Sequence, residues 1–219
     1  MNRNNRGLPI VALFLLACSG CTIPTVENPL VAPADAKPLP SLHGVYRSTD
    51  CPDNLVNYAH IGPAGDGYPA SFLRIVVVSQ PKDQTALGFS SYIGFVEPIG
   101  KHHVLHIPWS KTEVPDEQRT NWNQNWEDDQ VAGYMVMRLS VAPDDVEMSD
   151  LNDDFVEQQI AAKKIDGRVT RKAGERDDAE PGNKTITITA DTDDLRKFFT
   201  RHIDGELFNE SRWKFTRVK

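Results

Sequence analysis

The feature that most restricts the fold of this chain is a series of short apolar runs separated by turn residues. Between residues 86 and 96, Leu87, Phe89, Ile93 and Phe95 fall on one parity, and small or polar residues fall on the other. A period of two is typical of a β-strand with one covered face. Such runs predict about eight short strands, at residues 42–48, 71–79, 86–96, 103–107, 131–141, 145–148, 185–190 and 212–218.

Helical signals interrupt the strands late in the chain. Residues 152–165 offer Asn152 as an N-cap residue, and residues 191–202 repeat the scheme of early acids and late bases. Residues 115–129 form a third candidate helix, although their many Asn and Gln residues oppose it. The sequence therefore predicts two or three short helices.

Neighbouring strands with short connections predict an α+β domain on a mainly antiparallel sheet. The same pattern fits a curved sheet with helices on one side, and a sheet curled into a small barrel as in lipocalin-like domains. Both architectures stay open. Alternation also places Trp213 and Phe215 on one inward face of the last strand.

Length and charge limit the function classes. A chain of 219 residues holds one domain of ordinary size beside a leader. Lys and Arg total 24 against 31 Asp and Glu, for a net charge of -7, which argues against a nucleic-acid partner. Neutral or cationic partners are favoured instead.

The first residues have the pattern of a secretory leader. Two arginines and no acid precede an apolar run at residues 7–17. A membrane-spanning helix needs roughly 20 apolar residues, so this run is too short to remain as an anchor. We expect residues 1–17 to be a signal peptide.

The segment that follows, Leu15-Leu16-Ala17-Cys18-Ser19-Gly20-Cys21, resembles the lipobox of bacterial lipoprotein precursors. Cys18 has Leu15 three residues before it and Ala17 directly before it, which fits the lipobox pattern better than the surroundings of Cys21. The resemblance implies a diacylglyceryl group on Cys18, with Cys21 as the alternative. It also implies a bacterial cell envelope address, with the membrane as a partner.

The residue after either candidate cysteine is Ser19 or Thr22, not Asp. Within the lipoprotein resemblance, this implies the outer membrane, with the domain facing the periplasm. A Pro-rich stretch follows, so residues 18–40 are predicted to be a lipid-anchored tether and residues 41–219 a single globular domain.

The remaining cysteine, Cys51, has two interpretations. If Cys18 is lipidated, Cys21 and Cys51 are an even pair in an oxidising compartment and can form a disulfide. If Cys21 is lipidated, Cys51 is a lone thiol.

Motifs for catalysis or metal binding are incomplete. Residues 88–92 approach the nucleophile elbow, but Tyr92 replaces its second glycine. His102, His103 and His106 are bracketed by prolines that oppose a helix, and on a strand they diverge. Asp150, Asn152 and Asp154 resemble the start of a calcium loop without its later ligands, which favours helix capping. We therefore predict no catalytic residue, metal or cofactor.

Three tryptophans are the surface candidates. Trp109, Trp122 and Trp126 lie in or near a run of Asn and Gln, and aromatic faces beside amide donors suit a glycan or an envelope protein. The alternative is that these side chains close the edge of the core.

The function most consistent with these features is a non-enzymatic binding or envelope-maintenance role for a membrane-anchored lipoprotein. The alternative is a periplasmic inhibitor or immunity protein against a secreted cationic enzyme, because loss of Arg3 and Arg6 makes the mature chain more acidic. An enzyme using His60 or His202 with a carboxylate is a third hypothesis.

Overall fold

Antiparallel hairpins are the simplest pairing for strands joined by short connections, and the computed structural model shows them closing into a barrel. It describes residues 23–49, 55–81, 88–110, 131–171, 184–210 and 213–219. These ranges contain eleven strands and two α-helices: β1 (Thr25–Val26), β2 (Gly44–Ser48), β3 (Leu55–Pro63), β4 (Phe72–Pro81), β5 (Gly88–Ile99), β6 (His102–Ser110), β7 (Val131–Val141), β8 (Asp145–Asp150), α1 (Asp153–Ala161), β9 (Gly167–Arg171), β10 (Lys184–Ile188), α2 (Thr192–His202) and β11 (Trp213–Arg217).

Eight of the strands form the barrel. β2 to β8 follow one another in antiparallel pairs, β11 lies between β2 and β8, and pairing of β6 with β7 closes the ring. The predicted α+β class is confirmed, and of the two architectures left open the structure has the closed, lipocalin-like barrel.

A smaller outer layer covers part of the barrel wall. β1 pairs with β7 of the barrel and runs parallel to β10, which pairs in turn with β9. With α1 and α2, these strands enclose a second hydrophobic core against the outer face of the wall, separate from the core inside the barrel. Phe95 and Phe199, both 0% exposed, belong to this outer core.

The segment predicted to be a tether belongs in large part to the fold. Val26 and Leu30 are 0% exposed, and the Asn28 side chain donates a hydrogen bond to the Ala190 carbonyl over 2.9 Å. Short 3₁₀ turns at Pro33–Asp35 and Pro40–Leu42 continue the chain to β2. The predicted domain boundary at Ser41 is therefore wrong, because prolines here shape a packed segment.

Both predicted helix starts are confirmed. The Asn152 side chain accepts a hydrogen bond from the Phe155 amide at the start of α1, and Asp191 accepts one from the Asp194 amide at the start of α2. α1 ends at Ala161, before the predicted residue 165, and Lys163 beyond it has a φ of 54°. The candidate helix at 115–129 lies outside the described residues.

Gly94 is required where β5 and β6 approach each other closely. A Cβ atom at this position would lie 2.5 Å from the backbone carbonyl oxygen of His106, which cannot rotate away. We expect Gly94→Ala to lower the free energy of unfolding by about 2 kcal/mol, a typical cost of overpacking. Urea denaturation measures this. Gly62→Ala in β3 is the matched control, because nothing lies within 4 Å of its Cβ position, and equal losses in both variants would contradict the prediction.

Candidate functional site

One end of the barrel is filled by packed side chains, and we call it the closed end. β2 begins here and β11 ends here, beside the 3₁₀ turn that carries Leu42. Leu42, Leu73, Leu105 and Leu139 are each no more than 2% exposed inside the barrel. The closed end therefore leaves no access for a ligand through these residues.

Arg217 ties the closed end together. Its guanidinium donates hydrogen bonds to the carbonyl oxygens of Ser41 and His43, each over 2.6 Å, and to the Tyr46 hydroxyl. The Tyr46 hydroxyl donates in turn to the Leu42 carbonyl, and the guanidinium lies 4.8 Å from the centre of the Tyr46 ring. Burial raises the pKa of Tyr46, and the charge of Arg217 opposes that shift. Arg217, on the last barrel strand β11, thus fixes the segment that leads into β2, the first barrel strand.

β3, β5 and β7 begin at the opposite end, which we call the open end because several of the inward side chains described there are partly exposed. Following the strand register around the barrel brings one inward residue from each of several strands to a similar height. Val77, Tyr92, Met135 and Trp213 among them are partly exposed although they contact the inner core. We call this set the open-end ring, and its members are Asn57, Val77, Tyr92, Ile107, Met135, Asp150 and Trp213.

Methionines line this part of the barrel. Three of the chain's four methionines contact the core inside the barrel: Met135 in the ring, with Met137 and Met148 below it. Met137 is 2% and Met148 is 8% exposed. Thioether side chains are flexible and polarisable, so they adapt to ligands of different shape.

Two polar groups accompany the apolar lining. Asp150 is 2% exposed, and its carboxylate accepts a hydrogen bond from the Asn209 side chain over 3.0 Å. Burial raises the pKa of Tyr92, whereas a hydrogen bond with the Ser90 side chain acts in the other direction. A mainly apolar concave surface with a few polar groups is the usual composition of a small-molecule site.

Of the three tryptophans predicted as surface residues, only Trp109 lies within the described residues. Trp109 lies opposite Gly133 near the open end, next to a shift of register between Trp109 and Ser110. Trp122 and Trp126 lie outside the described residues. The ring residues Tyr92 and Val77 were not predicted, and no local signal separates them: Val77 lies in an unbroken apolar run, and the alternation along β5 marks the outer face of the barrel.

Two of the three clustered histidines, His102 and His106, lie in very different environments. His102 shares a 2.8 Å contact with Asp204, which Lys101 also approaches at 2.9 Å, and these two bonds hold the pKa of Asp204 below its usual value. His106 is fully buried in the outer core, with its ring nearly parallel to that of Phe95 at a centroid distance of 4.9 Å. Among the described residues, no three His, Cys, Asp or Glu side chains are grouped to hold a metal ion.

The residues that resemble a calcium loop diverge in space. Asp150 contacts Asn209, Asn152 caps α1, and Asp154 lies 3.4 Å from the Lys184 ammonium. The sequence that resembles a nucleophile elbow lies inside β5 and is extended there, so it makes no strand-to-helix turn.

The leader and the cysteines remain predictions. Residues 1–22 and Cys51 lie outside the described residues, so the structure does not address lipidation at Cys18 or Cys21, or a bond between Cys21 and Cys51. None of the helices in the described ranges is long and apolar enough to span a bilayer.

The chain matches no protein-family model, no curated protein and no solved structure. The geometry of the barrel is therefore the basis for any proposal about its function.

Proposed function

We propose that this protein is a non-enzymatic envelope lipoprotein whose barrel binds one small apolar molecule at its open end. The observation that supports the proposal is the partial exposure of inward apolar side chains at this end, above a tightly packed interior. Eight-stranded barrels are wide enough either to be filled by their own side chains or to hold one small ligand. Among the residues that the structure describes, the inward side chains of the closed half are buried, whereas several at the open end are partly exposed.

Membrane attachment follows from the lipobox resemblance. Thr25, the first residue of β1, follows Cys21 by four residues and Cys18 by seven. A fully extended chain spans at most about 25 Å over seven residues. A lipid on either cysteine would therefore hold the barrel close to the membrane, where apolar ligands are concentrated, and the proposed address is the periplasmic face of the outer membrane.

Binding can be measured without interference from the anchor. The full-length chain with Cys18→Ser and Cys21→Ser carries neither lipidation candidate, and N-phenyl-1-naphthylamine is an uncharged probe that fluoresces in apolar surroundings. We expect saturable binding of one probe per chain. Absence of saturable binding would overturn the proposal.

A pair of neighbouring valines localises the site. Val77 points into the ring and Val78 points outward on the same strand, and both are partly exposed. We expect Val77→Trp to lower the probe affinity at least tenfold by filling the open end, and Val78→Trp to leave it unchanged. Equal affinities in the two variants would place the probe elsewhere, and thermal unfolding checks that both remain folded.

The lipid itself is tested by mass spectrometry of the mature protein from a bacterial envelope fraction. We expect a chain that begins at Cys18 and carries the mass of a diacylglyceryl group. A cytosolic protein that retains Met1 and has no added fatty acid would contradict the anchor.

A further inference from the structure

Two large apolar side chains among the described residues are exposed, and they lie at opposite ends of the barrel. Phe89 on β5 is 55% exposed at the open end, and Val218 after β11 is 48% exposed at the closed end. We propose that the outer wall around Phe89 inserts into the surface of a lipid bilayer and turns the open end toward the membrane. This inference rests on the proposed function, because the lipid anchor of that proposal brings the barrel to the bilayer.

Phe89 belongs to an apolar row that crosses three neighbouring strands. It pairs with Val78 of β4, and Val78 pairs with Tyr58 of β3. Ala59 and Val77 contact the inner core, so alternation turns Tyr58 and Val78 outward, and Phe89 shares their face. Tyr58 and Val78 are partly exposed, and the outer core includes none of the three. We call Tyr58, Val78 and Phe89 the rim patch, because each lies among the last four residues of its strand at the open end.

The composition of the rim patch suits the head-group region of a bilayer. Tyr58 pairs with Arg47 of β2, so an exposed cation continues the row beyond the apolar side chains. Aromatic side chains favour the membrane–water interface, and an arginine beside them interacts with lipid phosphates. At the closed end Val218 instead stands between Arg217 and Lys219, without an apolar row. The two ends therefore differ in the surface that they offer to lipid.

The proposed anchor leaves the open end within reach of the bilayer. Thr25 lies opposite Met135, which is four residues from the start of β7 at the open end. Four residues of a strand span about 13 Å. Cys18 precedes Thr25 by seven residues, a reach of at most about 25 Å. The tether alone allows several orientations, and the rim patch selects the one in which the open end meets the lipid.

A second copy of the chain is a poorer occupant of the rim patch. Three side chains of this size offer less than about 600 Å² even when fully uncovered, whereas a stable protein interface buries roughly 800 Å² on each partner. A bilayer demands less area. The lipid anchor already holds the barrel at the membrane, so insertion of the patch is an intramolecular second contact that succeeds with a weak affinity of its own.

Tryptophan fluorescence measures the contact directly. The lipidated protein is reconstituted into vesicles of phosphatidylcholine and phosphatidylglycerol, with or without bromine on the acyl chains, because bromine quenches only a tryptophan that enters the bilayer. Phe89→Trp and Val218→Trp each place an added indole at an exposed apolar position, one at each end of the barrel. After subtraction of the unmodified chain, brominated lipid should lower the added fluorescence at least twofold in Phe89→Trp and leave it unchanged in Val218→Trp. Tyr58→Trp should be quenched as well, since it belongs to the same patch.

The possible outcomes are distinct. Quenching that is equal at the two ends, or stronger in Val218→Trp, places the barrel in another orientation, and quenching in neither variant shows that the patch faces solvent or protein. Each of these results overturns the inference. Failure of the proposed function is detected separately, from the mass of the mature chain and from the N-phenyl-1-naphthylamine titration. If the mature chain carries no lipid, the soluble protein is mixed with the same vesicles, and an unquenched Phe89→Trp overturns the inference there too.

Discussion

Replacing His106 with leucine is expected to stabilise the protein by about 3 kcal/mol at pH 4 relative to the unmodified chain, from proton linkage alone. His106 is 0% exposed, and burial lowers its pKa to about 3. Phe95 and Tyr134 flank the ring, and neither of its nitrogens has a hydrogen-bond partner among the described residues. A charged imidazole is therefore strongly disfavoured in the folded state.

The sign of the effect follows from the two pKa values of His106. In the unfolded chain an imidazole has a pKa of about 6.5, so it takes up a proton several pH units before the folded protein does. The contribution of neutral His106 to stability is fully present above pH 6.5. It is lost progressively as the pH falls toward 3.

Urea denaturation at pH 7 and pH 4 measures this loss. The difference between the two pH values should be smaller in His106→Leu by about 3 kcal/mol. At pH 7 leucine should be neutral or slightly stabilising, because it removes polar atoms that lack partners. His60→Leu removes an exposed histidine from the outer face of β3 and is the matched control. Identical acid profiles for His106→Leu and the unmodified chain would contradict the prediction.

The sequence alone does not determine the environment of the His106 side chain. A lone histidine among apolar residues is equally consistent with a metal ligand, a surface residue or a core residue. Its environment comes from Phe95 on β5 and Tyr134 on β7, which are 11 and 28 residues away in the chain. Only the pairing of three strands brings these rings together.

The sequence predicted most barrel strands because their apolar alternation is local. Residues 131–141 were predicted with the observed bounds of β7, and seven of the eight predicted runs became barrel strands. β3 was missed because Asn57, His60 and Gly62 interrupt its apolar pattern. β1 was missed because it has two residues in a Pro-rich segment, and its partners β7 and β10 are distant in the chain.

Alternation also fails to identify which face of a barrel strand is the inner one. Phe89, Ile93 and Phe95 share the outer face of β5, where Phe89 is 55% exposed and Phe95 is 0% exposed. The outer layer covers one end of this strand and leaves the other uncovered. The inner face instead carries Tyr92 and Val96, with Gly94 between them.

The candidate site had no local signature for a related reason. The open-end ring draws one residue from each of seven strands, so no two members are close enough in sequence to form a motif. In the sequence, Asp150 stands out only within a pattern that resembles the start of a calcium loop, and the structure does not bring those residues together. Its position beside Trp213 depends on the β8–β11 ladder, which joins residues more than 60 apart.

Arg217→Met is expected to lower the free energy of unfolding by about 3 kcal/mol, since hydrogen bonds to charged groups contribute about 1.5–3 kcal/mol and several are lost here together. Methionine keeps an unbranched apolar stem, but it has no guanidinium and cannot donate to Ser41, His43 or Tyr46. The segment before β2 then loses its attachment to the last barrel strand. Urea denaturation at neutral pH measures the loss.

Lys214→Met provides the control, because Lys214 lies on the same strand, is exposed, and has an ion pair with Glu147 at 3.7 Å. A surface pair of this kind contributes less than about 1 kcal/mol. Equal losses in the two variants would show that Arg217 does not hold the closed end. Probe affinity at the open end adds a second readout: if Arg217→Met folds and still binds N-phenyl-1-naphthylamine, closure and ligand binding reside in opposite halves of the barrel.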